Sequence, residues 1–315
     1  MGLNVKNDSA TSTAIAEDVC LACGSSRLAK WFTKRSPIDN RSYPLIQCKT
    51  CKSAFVMPRP AAEYLEAYYS GSTSSLSRDM VSHTEREQYE KVLQDEREFP
   101  NSVLDAARIA DESRAVAPGT QFLDVGAGYG FFSRAALDRG FDVTAIEPTK
   151  DCRDIFRIMN GYDPLPGMLS AEFARANAGR FHVVLMSQVL EHVVDLGATV
   201  RQMSELLASN GIAVIAVPHI RSWLARVQGK RDMFITPPEH LNFFSAAGLS
   251  ALFQQHGFHC CKIHTVSRLN VSRVSKKIGV PVAGGLIAKS LHSGLRMSDR
   301  FDSGMFLNAY FRKNV

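Results

Sequence analysis

From residue 121 onward, short apolar runs alternate with stretches that carry apolar residues at helical spacing. The apolar runs are QFLDV (121–125), DVTAIE (142–147), FHVVLMS (181–187) and GIAVIAV (211–217). The stretches of helical character are 131–140, 149–160, 196–210 and 246–258. Nearly continuous apolar strands that alternate with helices are typical of a parallel sheet covered on both faces. The pattern therefore predicts an α/β fold, with two further strands at 259–269 and 304–313.

The chain before residue 119 has a different organisation. Residues 1–17 are polar and are expected to form a disordered tail. Residues 18–60 contain two C-x-x-C pairs and end in MPRP, which interrupts regular structure. Residues 61–118 are expected to form a helical segment that acts as a lid over the cofactor or the acceptor, with predicted helices at 61–69, 84–97 and 102–116. The α/β domain then occupies 119–315, with an insertion at about 268–300.

Four of the seven cysteines form the two C-x-x-C pairs, with 24 residues between the pairs. They are Cys20, Cys23, Cys48 and Cys51. In a reducing compartment such pairs are typical of metal ligands rather than disulfides. Four thiolates make a closed tetrahedral zinc site, and closed sites are structural rather than catalytic. We therefore expect a structural Zn²⁺ in a small N-terminal zinc-ribbon module.

A glycine-rich turn follows the first apolar run, in the sequence FLDVGAGYGFF. A dinucleotide fingerprint G-x-G-x-x-G would need a glycine at Phe131, and no Gly-Lys-Ser/Thr of a phosphate-binding loop follows. What remains is D-x-G-x-G-x-G, formed by Asp124, Gly126, Gly128 and Gly130. This arrangement resembles motif I of the class I S-adenosylmethionine-dependent methyltransferases.

The resemblance implies a Rossmann-like class I methyltransferase fold with a mostly parallel, seven-stranded sheet. Its cofactor is S-adenosylmethionine, and the glycines let the main chain pass close to that ligand. Asp124 is then expected to face the methionine ammonium group. Glu147, at the end of the next apolar run, is expected to accept both ribose hydroxyls.

The stretch FHVVLMSQVLEHV resembles the fourth strand and exit loop of the same superfamily, which end beside the reactive methyl group. Gln188 is accordingly expected at the cofactor, and His192 is a second candidate for the base. Ubiquinone-pathway O-methyltransferases carry E-x-x-E-H here, associated with a divalent metal. This chain has Gln188 in place of the first acid and Glu191 as the second, which weakens a magnesium site.

The segment PPEHLNFFSAAGLSALFQQHGF resembles the region after the fifth strand in sugar C-methyltransferases and their relatives. There, a Glu-His pair supplies a candidate base; here the pair is Glu239 and His240. A carboxylate beside an imidazole can fix its tautomer and raise its basicity, as a general base requires. The chain departs from that family at Pro237, where the family has tyrosine, and we do not expect the large C-terminal domain of that family here. O- and C-methylation therefore both stay open.

The sequence through CKSAFVMPRPAAEYLEAYY resembles the zinc-binding module that precedes the methyltransferase domain in the sugar C-methyltransferase group.

The net charge is +6 and is unevenly distributed. Residues 221–315 contain 14 Lys and Arg against four Asp and Glu, a balance of +10, and the remainder balances to −4. This asymmetry favours an anionic partner for the C-terminal third.

The leading hypothesis is a methyltransferase that acts on a small molecule, such as a sugar or a phosphorylated or nucleotide-linked metabolite. The alternative is a ribosomal RNA base methyltransferase, with the zinc module as an RNA clamp. A modest net charge and the lack of an aromatic-rich basic stripe make nucleic acid the weaker partner. Loss of the motif residues would have indicated a binding module without catalysis, but they are intact.

Localisation and assembly are less well defined by the sequence. We find neither a signal peptide nor an apolar run near the ~20 residues of a membrane span, so we expect a cytoplasmic protein without stable membrane insertion. The apolar stretch 276–291 has basic flanks and is interpreted as a lid, with membrane contact as the alternative. The oligomeric state stays open.

Overall fold

The computed structural model describes residues 18–36, 38–61, 64, 84–98, 101–268 and 297–314. The tail predicted at 1–17 and the stretch 276–291 lie outside these residues, as do most of the helix predicted at 61–69 and most of the insertion predicted at about 268–300.

The cysteine module contains three antiparallel strands, β1 (Leu28–Arg35), β2 (Ser42–Cys48) and β3 (Ala54–Val56). A fourth strand comes from much later in the chain: β9 (Asn242–Phe243) pairs antiparallel with β3. The order in this sheet is β1-β2-β3-β9. The module is therefore joined by main-chain hydrogen bonds to the segment that directly follows His240.

The second sheet has seven strands in the order β10-β11-β8-β7-β4-β5-β6. Their bounds are β4 (Gln121–Val125), β5 (Asp142–Glu147), β6 (Leu165–Pro166), β7 (Phe181–Ser187), β8 (Leu207–Pro218), β10 (Phe258–Val266) and β11 (Phe306–Lys313). β4 to β8 pair in parallel, and β11 runs antiparallel to both of its neighbours. The predicted mostly parallel, seven-stranded sheet is confirmed.

Eight α-helices are described. They are α1 (Glu85–Glu98), α2 (Asn101–Val116), α3 (Phe131–Leu137), α4 (Lys150–Asn160), α5 (Ala171–Ala176), α6 (Leu196–Leu206), α7 (Trp223–Gln228) and α8 (Ala246–Gln254). Side-chain oxygens of Ser170, Asp195, Ser222 and Ser245 cap α5, α6, α7 and α8, because each accepts a main-chain N–H of the first turn. Oγ1 of Thr84 likewise accepts the N–H of Glu87 in α1. These caps fix where the chain changes from loop to helix.

The predicted strands at 121–125, 142–147 and 181–187 are confirmed residue for residue. The helix predicted through residue 210 is wrong at its end, because α6 stops at Leu206 and β8 begins at once. Leu207 pairs with Phe181 in the sheet, and Asn210 has a φ of 60°, which a helix does not allow. Sheet pairing therefore overrides the helical pattern here.

One hydrophobic cluster crosses the boundary between the two sheets. It includes the buried Cys48 and Phe55 of the cysteine module, Leu249 and Phe253 of α8, and Val184 of β7. Because the module and the large sheet share this cluster, burial of apolar surface holds them together.

Candidate active site

The turn between β4 and α3 contains the three glycines predicted to contact the cofactor. Gly126, Gly128 and Gly130 have φ angles of 69°, 55° and 91°, in the left-handed region that favours glycine. The N–H of Gly126 donates to the carbonyl of Ile146, which fixes the turn against the end of β5. A Cβ on Gly126 or Gly130 would collide with neighbouring side chains, whereas a Cβ on Gly128 would meet nothing within 4 Å. Gly128 therefore borders open space, as a ligand cradle requires.

Glu147 ends β5 beside this turn and is 4% exposed. Its Oε2 accepts the N–H of Gly128 at 2.8 Å, and its Oε1 accepts the N–H of Thr149 at 2.8 Å. Burial raises the pKa of this carboxyl, and the two amide hydrogen bonds oppose the rise. A carboxylate has about four acceptor positions, so Glu147 retains capacity for hydroxyl donors.

Asp124 lies in β4 below the turn and is 1% exposed. Its Oδ2 accepts the hydroxyl of Ser133 in α3 at 2.7 Å. Burial raises the pKa of Asp124 to about 7; the Ser133 hydrogen bond lowers it, and the nearby Glu147 carboxylate raises it further. A buried carboxyl in this range is stabilised in its ionised form by a cation close to it. The position thus suits a ligand with a positive charge.

Gln188 follows β7 and has a φ of 57°. Its main-chain N–H and its Nε2 both donate to the carbonyl of Ala216 in β8, at 2.8 and 3.2 Å. The next residue, Val189, contacts the glycine turn, because its Cγ2 lies 2.5 Å from where a Cβ of Gly126 would be. The exit loop of β7 therefore packs directly on the turn.

Glu191 and His192 of this loop form a cluster with His240. One nitrogen or oxygen atom from each lies within 4.8 Å of those from the other two. The rings of His192 and His240 meet edge to face, with centroids 4.7 Å apart. Glu191 is 1% exposed, and neither carboxylate oxygen has a hydrogen-bond partner among the described residues. Burial raises the pKa of Glu191 to about 8.

Main-chain carbonyls hold both rings in this cluster. Nδ1 of His192 lies 2.7 Å from the carbonyl oxygen of Glu239, and Nδ1 of His240 lies 2.7 Å from that of Phe234. Because a carbonyl only accepts, Nδ1 carries the hydrogen in each ring and the basic lone pair is on Nε2. The sequence led us to expect that the Glu239 carboxylate fixes the tautomer of His240. In the structure, the main-chain carbonyl of Phe234 fixes it instead.

Burial also decides the charge of the two rings. It lowers the pKa of His192 to about 3, with a further contribution from His240, and it lowers the pKa of His240 as well. Both imidazoles are therefore neutral near pH 7. A base whose conjugate acid has a pKa near 3 removes protons weakly, which argues against His192 as a general base.

The same cluster offers one carboxylate and two imidazoles as metal donors. First-row transition metals accept such a set, whereas Mg²⁺ prefers oxygen ligands. The first acid of the E-x-x-E-H arrangement is Gln188 here, and its side-chain amide donates to Ala216. These residues do not match a magnesium site.

The four cysteines of the module converge as the sequence predicts. Sγ of Cys20 lies 3.6 Å from Sγ of Cys51, and Sγ of Cys23 lies 3.7 Å from Sγ of Cys48. All four sulfur atoms lie within 4.8 Å of one another. A disulfide needs about 2.05 Å, whereas sulfurs on a tetrahedral zinc ion at about 2.3 Å are about 3.8 Å apart. The cluster therefore has the dimensions of a four-thiolate metal site.

Sequence reasoning missed several residues that hold the site together. Ser133 bonds Asp124, Phe234 supplies the carbonyl to His240, and Arg59 and Asn242 bridge loops around Glu191. Two of these contacts are made to main-chain carbonyls, those of Phe234 and Glu191, and every residue has such a group. Ser133, nine residues after Asp124, lies in the first turn of α3, at a spacing that the sequence shows directly.

Comparison with known families agrees with this architecture. The profile of the family described as "Methyltransferase domain" matches residues 86–263, more than half of the chain. The chain therefore belongs to the methyltransferase domain family, and the predicted membership is confirmed.

Two curated relatives indicate the breadth of the similarity. The chain is 28% identical over 159 residues to a ubiquinone biosynthesis O-methyltransferase of Azorhizobium caulinodans, across 44% of this chain and 62% of that protein. It is 25% identical over 151 residues to the C-methyltransferase NovU of Streptomyces niveus, across 47% of this chain and 34% of that protein. The chain thus spans less than two thirds of these relatives.

Among solved structures, a SAM-dependent methyltransferase from Archaeoglobus fulgidus superimposes with a TM-score of 0.50 at 15% identity. The alignment covers 70% of this chain and 99% of that structure, and it supports the fold alone.

Within the described ranges, none of the helices combines the length and apolar character that a membrane crossing needs.

Proposed function

We propose that this protein is an S-adenosylmethionine-dependent methyltransferase that transfers a methyl group to oxygen or carbon of a small, anionic molecule. The observation that carries the proposal is the glycine turn beside Glu147. Gly128 borders open space, and its N–H is bonded to a buried carboxylate that retains acceptor capacity. Family membership and the fold support the same conclusion.

S-adenosylmethionine carries no phosphate, so a site for this cofactor needs no anion-binding groups. The residues around the glycine turn fit such a ligand. Glu147 would accept the ribose hydroxyls, and the open side of Gly128 would admit the ligand against the main chain. Asp124 would lie near the ammonium group, whose positive charge would lower the raised pKa of that carboxyl. Gln188 would border the ligand at the exit of β7. When bound, the cofactor supplies an electrophilic methyl group on a sulfonium sulfur.

His240 is the proposed general base. Its Nδ1–H is donated to Phe234, so Nε2 presents the lone pair that takes a proton from the acceptor. Glu239 acts through its main chain, which holds His192 edge to face with His240. Glu191 lies within the same cluster, and a positive charge on His240 would favour the ionised form of this carboxyl, opposing the rise in its pKa that burial causes.

The acceptor class follows from charge and from the relatives. Residues 221–315 carry a balance of +10, and they include α7 and the loop leading to His240. The named activities of the relatives are O- and C-methylation. A phosphorylated or nucleotide-linked sugar would satisfy both observations, since arginine and lysine bind phosphate well. The four cysteines would bind a structural Zn²⁺, for which the sulfur separations are suitable.

Transfer from methyl-labelled S-adenosylmethionine into an extract of the source cells tests the proposal. The extract is divided into small molecules and nuclease-sensitive polymer before the label is counted. We expect label in the small molecules, lost in His240→Gln and kept in His259→Gln, an exposed histidine on β10 that bonds Asn314. Label that ribonuclease removes would instead support RNA as the acceptor and overturn the small-molecule assignment.

A further inference from the structure

Arg59 of the cysteine module forms hydrogen bonds with both loops that carry the histidine cluster. Arg59 follows β3 and is half-buried. Its Nη2 donates to the carbonyls of Val193 and Val194 at 2.8 Å each, and its Nε donates to Val194 at 3.2 Å. These carbonyls lie directly after His192, so one guanidinium group holds the end of the exit loop of β7.

The same guanidinium group also reaches the segment after His240. Nη1 donates to the carbonyl of Leu241 at 3.1 Å, and Nη2 donates to Oδ1 of Asn242 at 2.8 Å. Asn242 in turn donates through Nδ2 to the carbonyls of Leu190 and Val193. Arg59 therefore bridges two loops whose sequence positions differ by almost fifty residues.

Further contacts fix the segment 241–245 to the module. The N–H of Val56 donates to the carbonyl of Leu241, and the hydroxyl of Ser245 donates to the carbonyl of the metal-site residue Cys51. Gly248 allows this approach, because a Cβ there would lie 2.0 Å from Oγ of Ser53. The segment 241–245, which follows His240, is thus hydrogen-bonded to the module at both of its ends.

We propose that Arg59 is a positioning residue that sets the distance between His192 and His240, so that the cysteine module forms part of the catalytic machinery. The inference deepens the proposed function and rests on it for the catalytic consequence. The planar guanidinium group of Arg59 makes five hydrogen bonds to the two loops. A lysine ammonium group lacks this fixed geometry, so it would define the relative position of the loops less narrowly. Misplacement of a base by about 1 Å costs on the order of 10²-fold in rate.

The test compares Arg59→Gln and Arg59→Lys with Arg35→Gln in the full-length protein. Arg35 lies in the same module, is exposed and donates to the carbonyl of Asn40. Zinc content and the melting temperature establish folding. The ¹⁵N chemical shifts of the His192 and His240 rings at fixed pH report the tautomers, and methyl transfer to the extract reports catalysis.

We expect Arg59→Gln to lower the methyl-transfer rate by about 10- to 100-fold at saturating S-adenosylmethionine, with the cofactor Kd within about twofold. Its histidine ring shifts should change, Arg59→Lys should recover part of the rate, and Arg35→Gln should match the wild type. A folded, zinc-loaded Arg59→Gln with unchanged ring shifts and rate would overturn the inference. Should that variant not fold, the same comparison is made with Arg59→Lys, for which unchanged shifts and rate would be equally decisive.

The two proposals fail in different ways. If the wild type transfers no methyl group but the ring shifts respond to the Arg59 variants, the proposed function is wrong and the positioning of the histidines stands. If methyl transfer is robust and insensitive to both Arg59 substitutions, the proposed function stands and the positioning role is wrong.

Discussion

A methyl group added to Gly128 separates cofactor binding from folding. The wild-type φ of Gly128 is 55°, and a Cβ there would meet no atom within 4 Å. The protein alone therefore has room for Gly128→Ala, and the main cost to stability is the left-handed backbone, about 1–2 kcal/mol. If the cofactor lies against this turn, however, the new methyl group occupies space that the ligand needs.

Gly140→Ala is the matched control. Gly140 has a φ of 75° and equally open surroundings. It precedes β5, however, and therefore lies at the opposite end of that strand from Glu147. Both variants should lose a similar free energy of unfolding in urea. Calorimetric titration with S-adenosylmethionine should show at least about tenfold weaker binding for Gly128→Ala, a loss of about 1.4 kcal/mol, and little change for Gly140→Ala. Equal affinities in the two variants would refute the placement of the cofactor at this turn.

Three further predictions concern the catalytic base, the buried acid and the metal site. His240→Gln should lower turnover by about 10²- to 10⁴-fold with unchanged cofactor affinity; a loss of binding with intact turnover in a labelled-transfer assay would argue against a base. The pKa of Asp124 is raised to about 7, so the folded state holds this proton more tightly than the unfolded state, and its contribution to stability falls as pH rises from about 4 to 7. Asp124→Asn should therefore gain stability relative to the wild type between pH 5 and pH 8, by at most about 3 kcal/mol in urea unfolding; a pH-independent difference would contradict the raised pKa. Elemental analysis should find about one zinc per chain, and Cys48→Ser should lose the metal and melt earlier, because structural zinc binding contributes to folding; a wild-type chain purified without zinc would contradict this assignment.

The sheet and the glycine turn after β4 could be predicted because their signals are local. The strands 121–125, 142–147 and 181–187 are continuous apolar runs, and sheet burial selects such runs directly. The acid at Glu147 lies one strand after the turn, so chain order alone brings it to the same edge. These features need no knowledge of distant contacts.

The histidine cluster and its supports could be predicted only in part. His192 and His240 were recognisable from their motifs, but their edge-to-face contact depends on loops 48 residues apart in sequence. The two-residue strand β9 forms because β3 of the cysteine module offers it main-chain partners, and no periodicity marks so short a strand. Arg59 likewise acts on carbonyl groups, which every residue has. What the sequence alone does not reveal is therefore the set of contacts between residues that are distant along the chain.

A crystal structure of the complex with S-adenosylhomocysteine, the product left after methyl transfer, would test the central claim most directly. We expect the ribose hydroxyls to donate to Glu147, the ligand to pass over Gly128, and its sulfur to face the side of the sheet where His240 lies. A ligand bound elsewhere, with the space at Gly128 still open and the carboxylate of Glu147 unengaged, would contradict it.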